Sequence, residues 1–316
     1  MAVHAVVAFS SAILPINPRI TSCSSRIIAS PTPSQSSSES AGSSAAEPRK
    51  TLINGGFCCC CGRRHFLESA TAASAAIQFP LRSSRASSDS TSDYEAIVNK
   101  FHPSRPKWYE ELYAQVMDKG MKSYEAEIAG YKLQIFDELK GAKEVVEIGV
   151  GTGPNFKYYA RNSGLRVIGM DPNKVMERYA REAAEKAGLL PENFQFLQGV
   201  GEAIPLKDAS VDAVIGTLVL CSVGDVDRTL KEVKRVLKPG GLYCFLEHVA
   251  AKEGTILRLL QNALNPLQKL VADGCHLNRE TGKDILEAGF SDVRLSSAFF
   301  TSLPLVNSQV YGTASK

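Results

Sequence analysis

Fourteen residues, Lys143 to Phe156 (KEVVEIGVGTGPNF), constrain this chain more than any other stretch. A β-branched run carries an acid near its end, Glu147, and leads into glycines at alternate positions, Gly149, Gly151 and Gly153. Val145–Ile148 reads as a buried strand and Pro154 suits the first turn of a following helix, so the glycines fall in the turn at a sheet's carboxyl edge. Glycine there lets the backbone approach a ligand closely, with main-chain N–H groups and a helix N-terminus aimed at it. A nucleotide-like cofactor is implied.

The rest of the body agrees with such a turn. Short β-branched runs at Val145–Ile148, Arg166–Met170, Phe194–Gln198, Ala213–Thr217 and Leu242–Glu247 alternate with amphipathic stretches at Phe156–Asn162, Asn173–Ala187 and Asp225–Leu237, with a short link at Pro205–Ser210. That alternation predicts a parallel sheet with helices on both faces. Two further strands, Val293–Phe299 and Gln309–Thr313, are separated only by the region around Ser302-Leu303-Pro304, too short for a crossover helix, so they should run antiparallel. The fold class expected is α/β: a doubly wound, Rossmann-like sheet of five parallel strands plus a terminal antiparallel hairpin. Pro239-Gly240-Gly241 reads as a turn that ends a helix at Lys238. Ahead of the sheet, apolar residues recur at helical steps from Asp93 to about Lys140 and predict two helices.

A dinucleotide fingerprint, G-x-G-x-x-G, would put its third glycine at position 154, which is Pro. Its pyrophosphate would also sit badly beside Glu147. That carboxylate suits a ligand with an amino group and a cationic centre. Asp171 ends the second strand in VIGMDP, where a carboxylate can accept both hydroxyls of a ribose. An amino acid joined to a ribose fits both ends.

The ordered series EIGVGTG, MDP, GEAIP, DASVDAVIGTLVL and KEVKRVLKPGGLYCFLEH resembles that of the class I S-adenosylmethionine-dependent methyltransferases, over about Glu144–Lys316. NFKYY, TLVLCSV, FLEHVA and DGCHLNRET are similar, more narrowly, to methyltransferase-like proteins that methylate small alkyl thiols. The resemblance implies S-adenosyl-L-methionine as cofactor. It puts Glu147, Gly149, Gly151 and Gly153 around the methionine part, Asp171 with Pro172 at the ribose, Gly201 and Glu202 at the adenine edge, and Thr217 and Leu218 on the sulfonium side. Many class I enzymes have Asp where this chain has Val200, so adenine would be held by backbone groups and apolar contacts.

Methyl transfer is an in-line displacement, in which positioning supplies much of the catalysis and a general base is optional. His248 ends a strand at the same sheet edge and is the first candidate for an acceptor-side group; the alternative reading is that it packs or bonds to a neighbouring carboxylate. Asp273, Cys275 and His276 form a second candidate wall through the resemblance, with Cys275 read by default as a buried small hydrophobe. Leu257–Val271 has two readings, a lid over the acceptor site that touches a membrane surface, or ordinary helix packing; its modest charge and the interrupting Pro266 favour the lid.

Composition separates a leader from the body. Residues 1–91 carry eight Lys/Arg and four acids, which leaves 28 basic and 29 acidic residues beyond, so the body has no excess positive charge to recruit nucleic acid. Thirteen of the first fifty residues are Ser, and the stretch is poor in acids and sprinkled with Arg, as in an organelle transit peptide. No transmembrane segment is expected. A chloroplast is the expected compartment, the stroma before the thylakoid lumen that the twin arginines Arg63-Arg64 would suggest. The domains expected are a leader over 1–91, N-terminal helices over 92–141 and the catalytic domain over 142–316. Cys58-Cys59-Cys60-Cys61 cannot wrap one tetrahedral zinc because adjacent residues lack the turn that C-x-x-C spacing provides. Cys221, Cys244 and Cys275 show no paired spacing, so no metal is expected.

The function expected is methyl transfer to a small, lipophilic acceptor, such as a thiol. The alternatives are a protein that binds S-adenosylmethionine without catalysis and an NAD(P)-dependent oxidoreductase. Pro154 and the antiparallel ending count against the oxidoreductase.

Overall fold

The structure is a computed structural model that describes residues 86–316, Ser163 excepted. The features read in the leader, including the cysteine run and Arg63-Arg64, lie outside the described residues; only residues 86–91 fall within them, where they open the first helix.

Strand β1 (Glu144–Ile148) is flanked on both sides by parallel strands, β2 (Arg166–Asp171) and β4 (Val211–Thr217), with β3 (Phe194–Gln198) beyond β2 and β5 (Leu237–His248) beyond β4. The last strands are β6 (Asp292–Phe299) and β7 (Ser308–Ser315). β7 inserts antiparallel between β5 and β6, giving the order β3-β2-β1-β4-β5-β7-β6. The five parallel strands and the antiparallel hairpin are therefore as the sequence predicts. Because the chain leaves β1 toward β2 and returns on the other side at β4, a crevice opens between the carboxyl ends of β1 and β4, where ligands of such sheets bind.

Both faces of the sheet are covered, which is why its strands are apolar on alternate and on adjacent positions alike. Val145, Ala213 and Leu246 pack on one face under the N-terminal helices and α6 (Met176–Lys186); Val146, Val214 and Phe245 pack on the other. Each such side chain contributes about 1.5–3 kcal/mol when fully buried. On the second face α7 (Val226–Val236) buries Leu230, Val233 and Val236, spaced three and three apart on one side of the helix. Its N-cap is Asp225, whose carboxylate accepts from Arg228 N at 2.9 Å.

Several local expectations are corrected. The N-terminal region forms four helices, not two: α1 (Ala86–Phe101), α2 (Lys107–Gly120), α3 (Lys122–Glu127) and α4 (Ala129–Asp137). Apolar periodicity persists through short breaks such as that at Met121, so spacing alone merges them. The helix after the glycines, α5, is a single turn, Phe156–Tyr159, and offers little helix dipole to a ligand. Helix α7 ends at Val236 rather than Lys238, and Pro239-Gly240-Gly241 lies within β5, where the register jumps from Val211↔Leu237 to Ala213↔Leu242. The extra residues bulge out, with Gly240 at φ +75°.

The N-terminal helices are tied to the C-terminal hairpin. Tyr124 Oη donates to Gln309 Oε1 at 2.6 Å, and Tyr131 meets Phe300 and Tyr311 edge-on. Glu127 accepts from the backbone N–H groups of Thr301 and Ser302 at 2.7 and 3.0 Å. These ties set one wall of the crevice.

Candidate functional site

A cavity of about 690 Å³ fills the crevice, lined by the glycine turn, by Asp171 and Pro172, by Val200, Gly201 and Glu202, and by Thr217 and Leu218. The fold thus brings together every residue assigned by resemblance to the cofactor except Glu147, which lies behind the wall. Glu147 is buried; its Oε1 accepts from Asn155 Nδ2 at 2.7 Å and its Oε2 from Tyr159 Oη. Asn155 Nδ2 also donates to Thr217 Oγ1 at 2.9 Å, tying the glycine turn to the end of β4. Burial pushes the Glu147 carboxyl up to about 7, against the pull of those bonds and of the Lys132 ammonium.

The three glycines have different duties. All have positive φ, at +62°, +52° and +77°. A Cβ on Gly149 would come within 2.6 Å of Val219 Cγ2, and one on Gly153 within 2.6 Å of the Phe156 ring and 2.9 Å of Ala183 Cβ. Those two positions are closed by the protein's own packing. A Cβ on Gly151 would meet nothing nearer than 3.9 Å, its own chain's Gly149 carbonyl. Gly151 is the one that leaves room for a ligand.

Asp171 joins two turns. Its Oδ2 accepts from Gly151 N at 3.0 Å and its Oδ1 from Asn173 N at 2.9 Å. Burial lifts its carboxyl to about 7, with Asp273 adding to the rise and His102 opposing it. Each oxygen retains a lone pair for a ligand hydroxyl. Glu202 Oε1 is engaged by the N–H groups of Gly224 and Asp225 at 2.5 and 3.1 Å, and so braces the loop into α7. Gly201 is held small by Thr229, whose Cγ2 a Cβ would approach to 2.8 Å. Leu218 adopts φ +55° and Asp273 φ +48°. Both line the cavity, which is where left-handed non-glycine residues tend to collect.

The N-terminal helices supply walls that spacing did not reveal. His102, Tyr113, Met117 and Lys132 all face the cavity. His102 Nε2 bonds the Asp273 carboxylate at 3.0 and 3.1 Å, and Arg105 Nε stands 3.8 Å from the same group. Burial would lower the His102 pKa, but the bond to Asp273 and its charge outweigh it and raise it. Lys132, fully buried, donates to both oxygens of Glu125 at 2.8 and 2.9 Å. The Glu147 carboxyl behind the glycine turn gives this end an acid that an ammonium-bearing ligand suits. Its ribose end suits Asp171, and the open cradle at Gly151 lies between strand ends that carry the two acids. The residues present therefore fit S-adenosylmethionine.

On the acceptor side the predicted residues divide. Asp273 lines the cavity; His248, Cys275 and His276 are not among its lining residues. His248 is buried at the end of β5 with Nε2 3.3 Å from Cys275 Sγ. His276 N and Nδ1 both meet the Cys221 carbonyl, at 2.8 and 3.1 Å. The segment read as a lid is a continuous helix, α8 (Ile256–Val271), that runs through Pro266 and does not line the cavity. Gln261 pins it, accepting from Ala251 N and donating to the Leu305 carbonyl, both at 2.8 Å. Its outer face leaves Ile256, Leu259, Leu267 and Leu270 exposed, and Trp108 on α2 is 69% exposed. No helix among the described residues is long and apolar enough to cross a membrane.

Residues 146–245 match a family model described as a methyltransferase domain. The chain is 38% identical over 208 residues to the thiol S-methyltransferase TMT1B of Rattus norvegicus, covering 63% of this chain and 82% of that protein. It is 40% identical over 202 residues to the thiol S-methyltransferase TMT1A of Homo sapiens, covering 61% and 81%. In fold it is similar, at TM-score 0.51 and 19% identity, to a chain of the Haloferax volcanii complex of the Trm112 methyltransferase activator with a methyltransferase, covering 67% of this chain and 99% of that one.

Proposed function

This chain belongs to the class I S-adenosylmethionine-dependent methyltransferases, and we propose that within them it methylates the sulfur of a small, lipophilic thiol. The observation that carries the acceptor is the likeness to two thiol S-methyltransferases over more than four fifths of their length. The cavity adds support, since Tyr113, Met117, Ile128 and Leu218 contribute apolar lining to it.

Bound S-adenosylmethionine supplies a methyl group on a cationic sulfur. The chain's own residues hold and orient. In this reading Asp171 accepts the ribose hydroxyls, with Pro172 beside it, and Val200, Gly201 and Glu202 wall the adenine. Glu147, acting through Asn155 and Tyr159, fixes the glycine turn and places negative charge behind the amino acid end. Thr217 and the left-handed Leu218 present the carboxyl end of β4 to the reacting centre. His102 and Asp273 face the acceptor, and Cys275, His248 and His276 form a layer behind them. The exposed leucines of α8 and Trp108 make a peripheral contact with a lipid surface, from which a lipophilic acceptor would be drawn.

The test is to supply the full-length protein with S-adenosylmethionine and, in parallel, an alkyl thiol, a phenol and a quinol, and to measure S-adenosylhomocysteine with the methylated product. A thioether formed in step with S-adenosylhomocysteine is expected. Methyl ethers from the phenol or quinol, with no thioether from the thiol, would reject sulfur as the acceptor.

A further inference from the structure

Cys221, His248 and Cys275 come from three separate places, the loop after β4, the end of β5 and the loop after α8, yet their Sγ, imidazole nitrogen and Sγ atoms all lie within 4.8 Å of one another. Cys221 and His248 are buried and Cys275 is half-buried, and both cysteines are free. His248 Nε2 faces Cys275 Sγ at 3.3 Å; its Nδ1 is buried without a partner among the described residues.

We propose that Cys221, His248 and Cys275 are the three protein ligands of a zinc ion. Two thiolates and an imidazole are the donor set that zinc prefers, and three protein ligands leave the fourth tetrahedral position open, as in catalytic sites. With zinc–sulfur and zinc–nitrogen bonds of about 2.3 and 2.0 Å, neighbouring ligand atoms stand about 3.5 Å apart. The 3.3 Å pair is already there, and the others, none wider than 4.8 Å, need to close by at most about 1.3 Å. The backbone around the three is well held: the His248 carbonyl accepts from Thr281 Oγ1 at 3.1 Å, the Cys221 carbonyl accepts from His276 N, and Cys275 N donates to the Ala272 carbonyl. Arg279 Nη1 donates to the Leu220 carbonyl at 2.6 Å and so braces the loop that carries Cys221.

The cluster adjoins the cavity in sequence, since Cys221 precedes the lining residue Ser222 and Cys275 follows the lining residue Asp273 by two. Resting on the thiol reading above, the open position would take the acceptor: the S–H bond breaks, its proton passes to water, and the sulfur binds as thiolate. Zinc-held thiolate needs no general base, which assigns His248 a ligand's role.

The full-length protein, reduced with a phosphine, should be titrated with Co²⁺ and followed by absorption. Expected are one equivalent bound tightly, sulfur-to-cobalt charge transfer in the near ultraviolet, tetrahedral d–d bands in the visible, and displacement by Zn²⁺. Cys275→Ser and Cys221→Ser should each weaken metal binding by about 100-fold or more, beyond the usual loss from an outer-sphere partner, while S-adenosylhomocysteine affinity, unchanged, shows the fold intact. Bands that survive in both variants would belong to other groups of the chain and would overturn the site, as would a Cys221–Cys275 disulfide in protein that takes up no metal. Hexanethiol should shift the charge-transfer band of the cobalt form. If cobalt loads and the thiol shifts nothing, acceptor coordination fails and the metal site stands; thioether formation by metal-free protein at an undiminished rate would likewise leave thiol methylation standing without the metal's part in it.

Discussion

The backbone N–H of Gly151 donates to Asp171 Oδ2 at 3.0 Å, so a single carboxylate holds both the turn after the first strand and the end of the second. Asp171 therefore shapes the cradle as well as facing a ligand. Asp171→Ala should weaken S-adenosylhomocysteine binding by roughly 2 kcal/mol or more, because ribose hydroxyls lose a charged acceptor. Calorimetry showing undiminished affinity in a folded variant would remove Asp171 from the ribose.

Binding should depend on pH through the same residue. Burial raises the Asp171 carboxyl to about 7, and Glu147 likewise. Between about 3.9, the unfolded value for Asp, and about 7 the folded protein holds a proton that the unfolded chain does not. The unfolded carboxyl ionises there while the buried one stays protonated, so this group's contribution to stability falls as pH rises through that window. Hydroxyl donors from a ligand favour the carboxylate, so binding below pH 7 should release protons. Affinity for S-adenosylhomocysteine should climb between pH 5.5 and 7, by at most about tenfold per unit for each group, and level off above. Calorimetry in buffers of different ionisation enthalpy counts the protons; an affinity that falls across this range contradicts the assignment.

Gly153→Ala and Gly151→Ala should separate packing from binding. The first places a methyl group into the Phe156 ring and Ala183, an overpacking that costs about 1–3 kcal/mol, on top of its left-handed backbone. The second meets only the left-handed strain, about 1–2 kcal/mol, but projects into the ligand's space. Thermal melts should show the lower ligand-free midpoint for Gly153→Ala and the smaller ligand-induced rise for Gly151→Ala. The reverse ranking would mean that Gly151 does not face the ligand.

The exposed stripe on α8 predicts association with lipid. Replacing Leu259, Leu267 and Leu270 together by Ser should reduce co-sedimentation of the full-length protein with phosphatidylcholine vesicles by about tenfold or more, without changing S-adenosylhomocysteine affinity. Equal sedimentation of both proteins would assign any lipid binding to other parts of the chain.

Much of this architecture is local in origin and therefore legible in the sequence. The parallel strands, the antiparallel ending, the glycine turn and the carboxylates at the ends of β1 and β2 follow from side-chain period, glycine placement and the short link at Ser302-Leu303-Pro304, each written within a few residues. What the tertiary structure alone decided depends on segments far apart in the chain. Which glycine opens to the ligand is set by Val219, Phe156 and Ala183 crowding its neighbours. His102 reaches Asp273 where Tyr109 Oη bonds the Val271 carbonyl and the Asp273 N–H, and Lys132 reaches the cavity from helices that Tyr124 and Tyr131 dock on the terminal hairpin. Cys221, His248 and Cys275 show no metal-binding spacing, and their meeting depends on where three loops leave the sheet edge. Period and turn chemistry act between neighbours, whereas the convergence of side chains is fixed only when burial brings distant elements into one register.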